Sequence, residues 1–241
     1  MADDPAVLAV EAVRSGDVDA LRAALVEQPG LATARLRGGD GGRTLLHVAT
    51  DWPGHLPNVA ATISVLVAGG AEVDAPFQGS HAETPLHWAA SSDDIPALDA
   101  LLDAGADIDA PGGSVGDGSG TPLFDATVFA QWAAARRLLE RGASTGGWEE
   151  AALGLTDRLA ARLTDGGASA ADVDSWFWAA CHGGQRATAE RLLTAGADRD
   201  LAAPWDGLTP LDAALRSARN GSAGAGDVVV WLRELGARSA G

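Results

Sequence analysis

TPLHWAASSDDIPALDALLDAGADIDA, residues 84–110, carries the signals that decide the fold. Thr84-Pro85 is a helix start: Thr is a good N-cap, and Pro is tolerated in the first turn, where its missing N–H has no intrahelical partner to lose. Leu and Ala then recur at spacings of three and four, the period of an amphipathic helix. A second run, near Pro96 to Leu102, ends in paired Leu, and Gly105 follows as a C-cap signal. The stretch therefore predicts helix, tight turn, helix, glycine stop and extended loop.

The same order returns along the chain. TLLHVA (44–49), TPLFDAT (121–127) and TPLDAAL (209–215) repeat the opening. ARRLLERG (135–142) and AERLLTAG (189–196) repeat the second helix and its stop. GGAEVDA (69–75), RGAST (141–145), GGASA (166–170) and LGARS (235–239) repeat the Gly-Ala step. One such unit cannot bury its own apolar face, and stacked neighbours can. Seven units follow, at about 5–39, 40–76, 82–111, 119–147, 148–170, 173–203 and 206–241. The first and fifth are degenerate. The fold class is all-α, one array over 1–241.

Composition narrows the function. The 241 residues carry a net charge of −16 and contain no Lys. Phosphate backbones are bound through clustered cations, so a nucleic-acid partner is not expected, nor is an anionic membrane surface. A partner with a basic patch is expected instead. Cys181 is the only cysteine. With acids where a signal peptide carries cations, this fits a cytoplasmic protein. No stretch reaches the apolar length of a membrane span. The sequence has no GK[ST] loop, zinc-type Cys pair, His-Glu-x-x-His or GxSxG, so no cofactor or metal is expected. A monomer is expected.

TPLHWAA followed by LLDAGADIDA resembles the ankyrin repeat, and the resemblance extends over nearly the whole chain. It implies a solenoid whose inner helices and loops line a concave groove that holds a polypeptide. It also implies that His47 and His87 are structural, bonding the adjacent loop, and that Trp88 fills a core slot. Two variable slots at the end of each inner helix are expected to face the groove. They hold Asp51 and Trp52 in the second unit, Ser91 and Ser92 in the third, Val128 and Phe129 in the fourth, His182 and Gly183 in the sixth, and Arg216 and Ser217 in the seventh.

Departures from the repeat mark candidate sites. The second unit carries five extra residues in WPGHLPNV (52–59), between its helices. This insertion is either a connector, with Trp52 covering apolar surface, or the rim of a site that includes His55. Asp125 occupies a slot that holds Val48 and Trp88 in neighbouring units, so it is desolvated or partnered, for instance by capping loop N–H groups. In the run Ser91-Ser92-Asp93-Asp94, Asp94 is the expected N-cap. SWFWAACHGGQ (175–185) reads as an aromatic cluster filling space beside the short fifth unit, with Cys181 as a small core filler. His182 is a solvated surface residue or an acid–base candidate near neutral pH. The Gly-rich loop PGGSVGDGSG (111–120) reads as a flexible finger.

Two function classes follow. The first is a binding module with aromatic anchors in the groove. The second is a small-molecule pocket, possibly catalytic, in units two to four, built from Asp51, Trp52, His55, Ser91, Ser92, Asp94, Asp125, Phe129 and Trp132. An Asp51–His55–Ser91 triad requires the insertion to fold inward.

Overall fold

A computed structural model of the chain describes residues 4–38, 41–113 and 119–240. The chain forms two compact units, 1–143 and 144–241.

The first unit opens with α1 (Pro5–Ser15), α2 (Val18–Glu27) and a 3-10 turn at Pro29–Ala32. A short antiparallel hairpin follows, β1 (Leu36–Gly38) and β2 (Gly41–Arg43), with Leu36 opposite Arg43. Three helix pairs complete it: α3 (Leu45–Thr50) with α4 (Val59–Ala68), α5 (Pro85–Ser91) with α6 (Ile95–Asp103), and α7 (Pro122–Val128) with α8 (Trp132–Glu140). The second unit contains α9 (Gly147–Ala152) with α10 (Thr156–Thr164), α11 (Ala170–His182) with α12 (Arg186–Thr194), and α13 (Pro210–Arg219) with α14 (Ala225–Glu234). No described helix is long and apolar enough to cross a membrane.

Thr begins the inner helices as the sequence predicts. The Thr121 and Thr209 hydroxyls accept the backbone N–H groups of Phe124 and Asp212 at 3.2 and 3.3 Å. In the second and third repeats a histidine completes the cap. The backbone N–H of Thr44 donates to Nδ1 of His47 at 3.2 Å, and that of Thr84 to Nδ1 of His87 at 3.1 Å. An accepting Nδ1 leaves the proton on Nε2. Nε2 of His47 lies 3.1 Å from the Glu83 carbonyl, and Nε2 of His87 lies 3.1 Å from that of Gly120. Each ring thus ties its helix to the loop before the next one. Both rings are fully buried, and burial holds both pKa values down, that of His47 at about 4. They are neutral structural groups, as the resemblance implies.

Inner helices pack on inner helices, α3 on α5 and α5 on α7, and outer on outer, α4 on α6 and α6 on α8. Leu46, Leu86 and Leu123 are fully buried on the inner row, and Leu66, Leu101 and Leu138 on the outer. Each contributes about 1.5–3 kcal/mol by burial. Gly105 and Gly142 end the outer helices in the left-handed region, at φ of +93° and +98°, where a side chain would be strained.

The degenerate fifth repeat still forms a helix pair, of six and nine residues. It runs almost directly into α11, whose thirteen residues begin at a Ser169 cap. Gly147 lies under the Trp176 ring with no room for a Cβ. Trp178 packs against Trp148 and Trp205 and donates its indole N–H to the Leu208 carbonyl at 3.0 Å. Cys181 is fully buried, and burial raises its thiol pKa far above the usual range, so it fills space as an unreactive group.

Candidate functional site

The insertion of the second repeat is strapped to the third. α3 ends at Thr50 and the next helical residue is Val59. Between them, the backbone N–H of His55 donates to Oδ2 of Asp94 at 2.5 Å, and Nδ2 of Asn58 donates to the Gly16 carbonyl at 3.0 Å. Gly54, at φ +75°, lies so close to the third repeat that a Cβ would stand 3.0 Å from Cβ of Ser92. Asp94 is fully buried, and its Oδ1 accepts the Ala97 N–H at 3.1 Å. Asp94 therefore caps α6 and holds the insertion; it does not line a site. Asp93 is also scaffolding, accepting the Ala134 N–H at 2.7 Å.

A cleft of about 400 Å³ opens where the ends of α3, α5 and α7 converge. Five residues singled out in the sequence line it: Asp51, Trp52, Ser91, Ser92 and Phe129. Trp52 is 78% exposed and Phe129 45% exposed. Trp52 thus does not cover apolar surface, contrary to the connector reading. Asp51 accepts from Nη1 of Arg43 at 2.7 Å, and the Ser91 hydroxyl donates to the Trp88 carbonyl at 3.2 Å. Ser92 is 6% exposed, and its hydroxyl has no hydrogen-bond partner among the described residues.

Sequence reasoning missed three lining residues, Glu83, Trp88 and Gln131. Trp88 is half-buried and forms a wall of the cleft, where a core position was expected. Its indole N–H donates to Oε2 of Glu83 at 2.8 Å. Nδ1 of His81 stands 3.0 Å from the same oxygen, and the His81 ring stacks on Phe77. One signal was available: Trp88 lies one helical turn before Ser91 and Ser92, so the three share a face.

Asp125 lies behind Glu83. It is fully buried, and neither carboxyl oxygen has an N–H or O–H partner among the described residues. Burial, and then the adjacent Glu83 carboxylate, push its pKa up to about 8. On its other side, a Cβ on Gly113 would stand 2.8 Å from Oδ1 of Asp125. The expectation that Asp125 caps loop N–H groups is therefore corrected. It is one half of a buried carboxyl pair.

Three further candidates lie outside the cleft lining. The His55 side chain is exposed, so no Asp51–His55–Ser91 triad is assembled. Trp132 opens α8 half-buried. His182 is not a solvated surface group: it is 3% exposed in the second unit, its Nδ1 is 3.1 Å from the Ser217 hydroxyl, and its ring packs on Trp178. Residues 114–118 of the glycine-rich loop, read as a flexible finger, are outside the described residues.

Comparison with known proteins agrees with this fold. Residues 81–110 match the family model described as ankyrin repeat. No curated protein matches the chain. Among solved structures, the human ASB11 ankyrin repeat domain is similar over 92% of this chain and 96% of that one, with 19% identity and a TM-score of 0.51. That likeness is one of fold. The chain thus carries an ankyrin repeat at residues 81–110 and has the fold of an ankyrin repeat domain.

Proposed function

We propose that the cleft of the first unit holds a basic segment of a partner polypeptide. The observation that carries this reading is the pairing of two exposed aromatic side chains, Trp52 and Phe129, with the carboxylates of Asp51 and Glu83 around one cleft. Aromatic anchors that become covered on association dominate interface energetics. The carboxylates add complementarity to a cation, and the net charge of −16 steers a basic partner toward the protein. One end of the segment rests on Trp52, the other on Phe129, and a cationic side chain reaches between them.

A small-molecule ligand is the second reading. The cleft volume, about 400 Å³, lies within the range of small-ligand sites. The two readings separate by size: a segment gains affinity with each residue added beyond the cleft, and a small molecule does not.

The test is fluorescence anisotropy with labelled ten-residue peptides, each carrying one Arg or Lys among apolar residues. Binding should weaken by at least about tenfold for Trp52→Ala and Phe129→Ala, the loss of about 1.4 kcal/mol expected for an anchor. Equal binding by the parent protein and both variants would exclude the cleft.

A further inference from the structure

We infer that the second unit carries a site for the N-terminal residue of a partner polypeptide: a pocket takes its apolar side chain, and Asp174 takes its α-ammonium group. The site is independent of the first-unit cleft.

The pocket arises where the repeat pattern breaks. A long loop separates α12, ending at Thr194, from α13, beginning at Pro210, whereas α10 ends at Thr164 and α11 already begins at Ala170. The first turns of α11 face the later loop, and a pocket of about 210 Å³ lies between them. Ala171, Asp174, Ser175 and Trp178 line it from one face of α11, and Leu201 and Trp205 line it from the loop. Leu201 is 44% exposed and Trp205 47% exposed, so the pocket opens to solvent. The loop is braced. The Gly207 N–H donates to the Ala203 carbonyl at 2.8 Å, Arg216 pairs with Asp206 at 3.4 Å, and the Trp205 ring packs edge-on against Trp148 and Trp178. An exposed aromatic already held in place loses little freedom when a ligand covers it.

Size, charge and surroundings select the occupant. A cavity of about 150 Å³ holds a benzene ring, and sites for whole small ligands begin near roughly 300 Å³. The pocket therefore admits one branched or aromatic side chain. The rings of Trp148, Trp178 and Trp205 pack on one another with centroids 5.4–5.7 Å apart, which leaves no gap for a cation between their faces. Charge is read by Asp174 instead. Its Oδ1 accepts the Asp198 N–H at 2.7 Å in exposed surroundings, and it has no cationic partner among the described residues. Nearby arginines are committed elsewhere, Arg216 to Asp206 and Arg199 at 3.8 Å from Asp200. Because Asp174 lines the pocket itself, the cation it meets belongs to the residue that fills the pocket. An α-ammonium, borne on the same carbon as the side chain, meets that condition, and capture of an N-terminal amine is a recurring mode of peptide recognition. The ammonium has three donors, and the Ser175 hydroxyl lines the pocket as a second acceptor. Exposed Asp172 and Asp198 flank Asp174 and repel a free carboxylate, so the ligand continues as a peptide rather than ending as a free amino acid.

The experiment is a nitrogen–proton NMR titration of the full chain at pH 7, reading the Trp205 indole and the backbone amides of 171–178 and 201–205. The probes are Leu-Ala-Ala amide with a free N-terminus, the same tripeptide N-acetylated, and free leucine. The free-amine tripeptide should saturate with a Kd of about 1 mM or below, as expected for a ligand that buries one side chain. The acetylated tripeptide and free leucine should each bind at least about tenfold more weakly. Asp174→Asn keeps the acceptor for the Asp198 N–H; in it the free and acetylated tripeptides should bind within about twofold of each other. Ala171→Leu places apolar bulk at an exposed helical position on the pocket wall and should abolish binding of both. An unchanged Trp231 indole resonance shows that each variant keeps its fold. The Arg-containing ten-residue peptide, N-acetylated, should leave Trp205 unmoved. Equal binding of the free and acetylated tripeptides to the parent protein, binding that survives Ala171→Leu, or no shift at about 10 mM would overturn the site. Tighter binding of free leucine than of the tripeptide would overturn its assignment to a polypeptide N-terminus.

Discussion

The indole N–H of Trp88 donates to Oε2 of Glu83 at 2.8 Å. A residue in the third repeat therefore serves both as a wall of the cleft and as the tether of the acid in that wall. Trp88→Phe keeps the apolar area and removes the donor. It should lower stability by about 1–3 kcal/mol, because the largely buried Glu83 loses a neutral partner. Equilibrium denaturation measures this, and an unchanged midpoint would show that the hydrogen bond is not formed.

Trp52 is mostly in solvent, so its removal should not unfold anything. Trp52→Ala is expected to shift stability by less than about 0.5 kcal/mol while weakening peptide capture. A large loss of stability would mean that the side chain covers apolar surface after all.

The ion pair of Arg43 and Asp51 is about one-third exposed on both sides, and such pairs are worth about 0–1 kcal/mol. Asp51→Asn should be nearly neutral for folding. Its effect should fall on association with a basic peptide, which slows and becomes less sensitive to salt. Stopped-flow association at two ionic strengths is the measurement.

Asp94 does two structural jobs at once. Asp94→Ala removes a helix cap, worth about 1 kcal/mol, and strands the His55 N–H, worth a further 1–3 or so. Amide hydrogen exchange should accelerate through residues 51–58 in this variant and remain slow in α12 and α14.

Acid and base act on different groups. His47 has a folded pKa near 4 against an ordinary 6.5. The unfolded chain thus binds protons first, and stability is lost as pH falls from about 6.5 through 4. His87 is displaced the same way. Asp125 is opposite: its pKa rises from 3.8 to about 8, so its contribution is full below pH 3.8 and disappears as pH rises through about 8. Asp125→Asn should remove the alkaline part of this profile and leave the acid part in place. A chemical-denaturation series from pH 4 to 9 reads both arms.

The fold was legible because its signals are local. Thr84-Pro85 announces a helix within two residues, Gly105 ends one within one, and each recurs in register down the chain. Of the slots after the inner helices, those of the first unit were readable: Asp51, Trp52, Ser91, Ser92 and Phe129 line one cleft. Glu83 was not readable as a site residue, since its role depends on a contact with Asp125 from the next repeat. Trp88 was hidden by the pattern itself, which places an apolar residue there without stating which side of it faces the cleft. His182 failed for a related reason: the slot is right, but Ser217 of the following repeat closes over it.

The most direct test of the cleft is a two-dimensional nitrogen–proton NMR titration with the Arg-containing peptide. The indole resonances of Trp52 and Trp88 should move, together with backbone amides of 51–58, 83–92 and 129–131. Those of Trp148, Trp178 and Trp205 should stay. Perturbation centred on the second unit, with Trp52 and Trp88 unmoved, would contradict the assignment of the site.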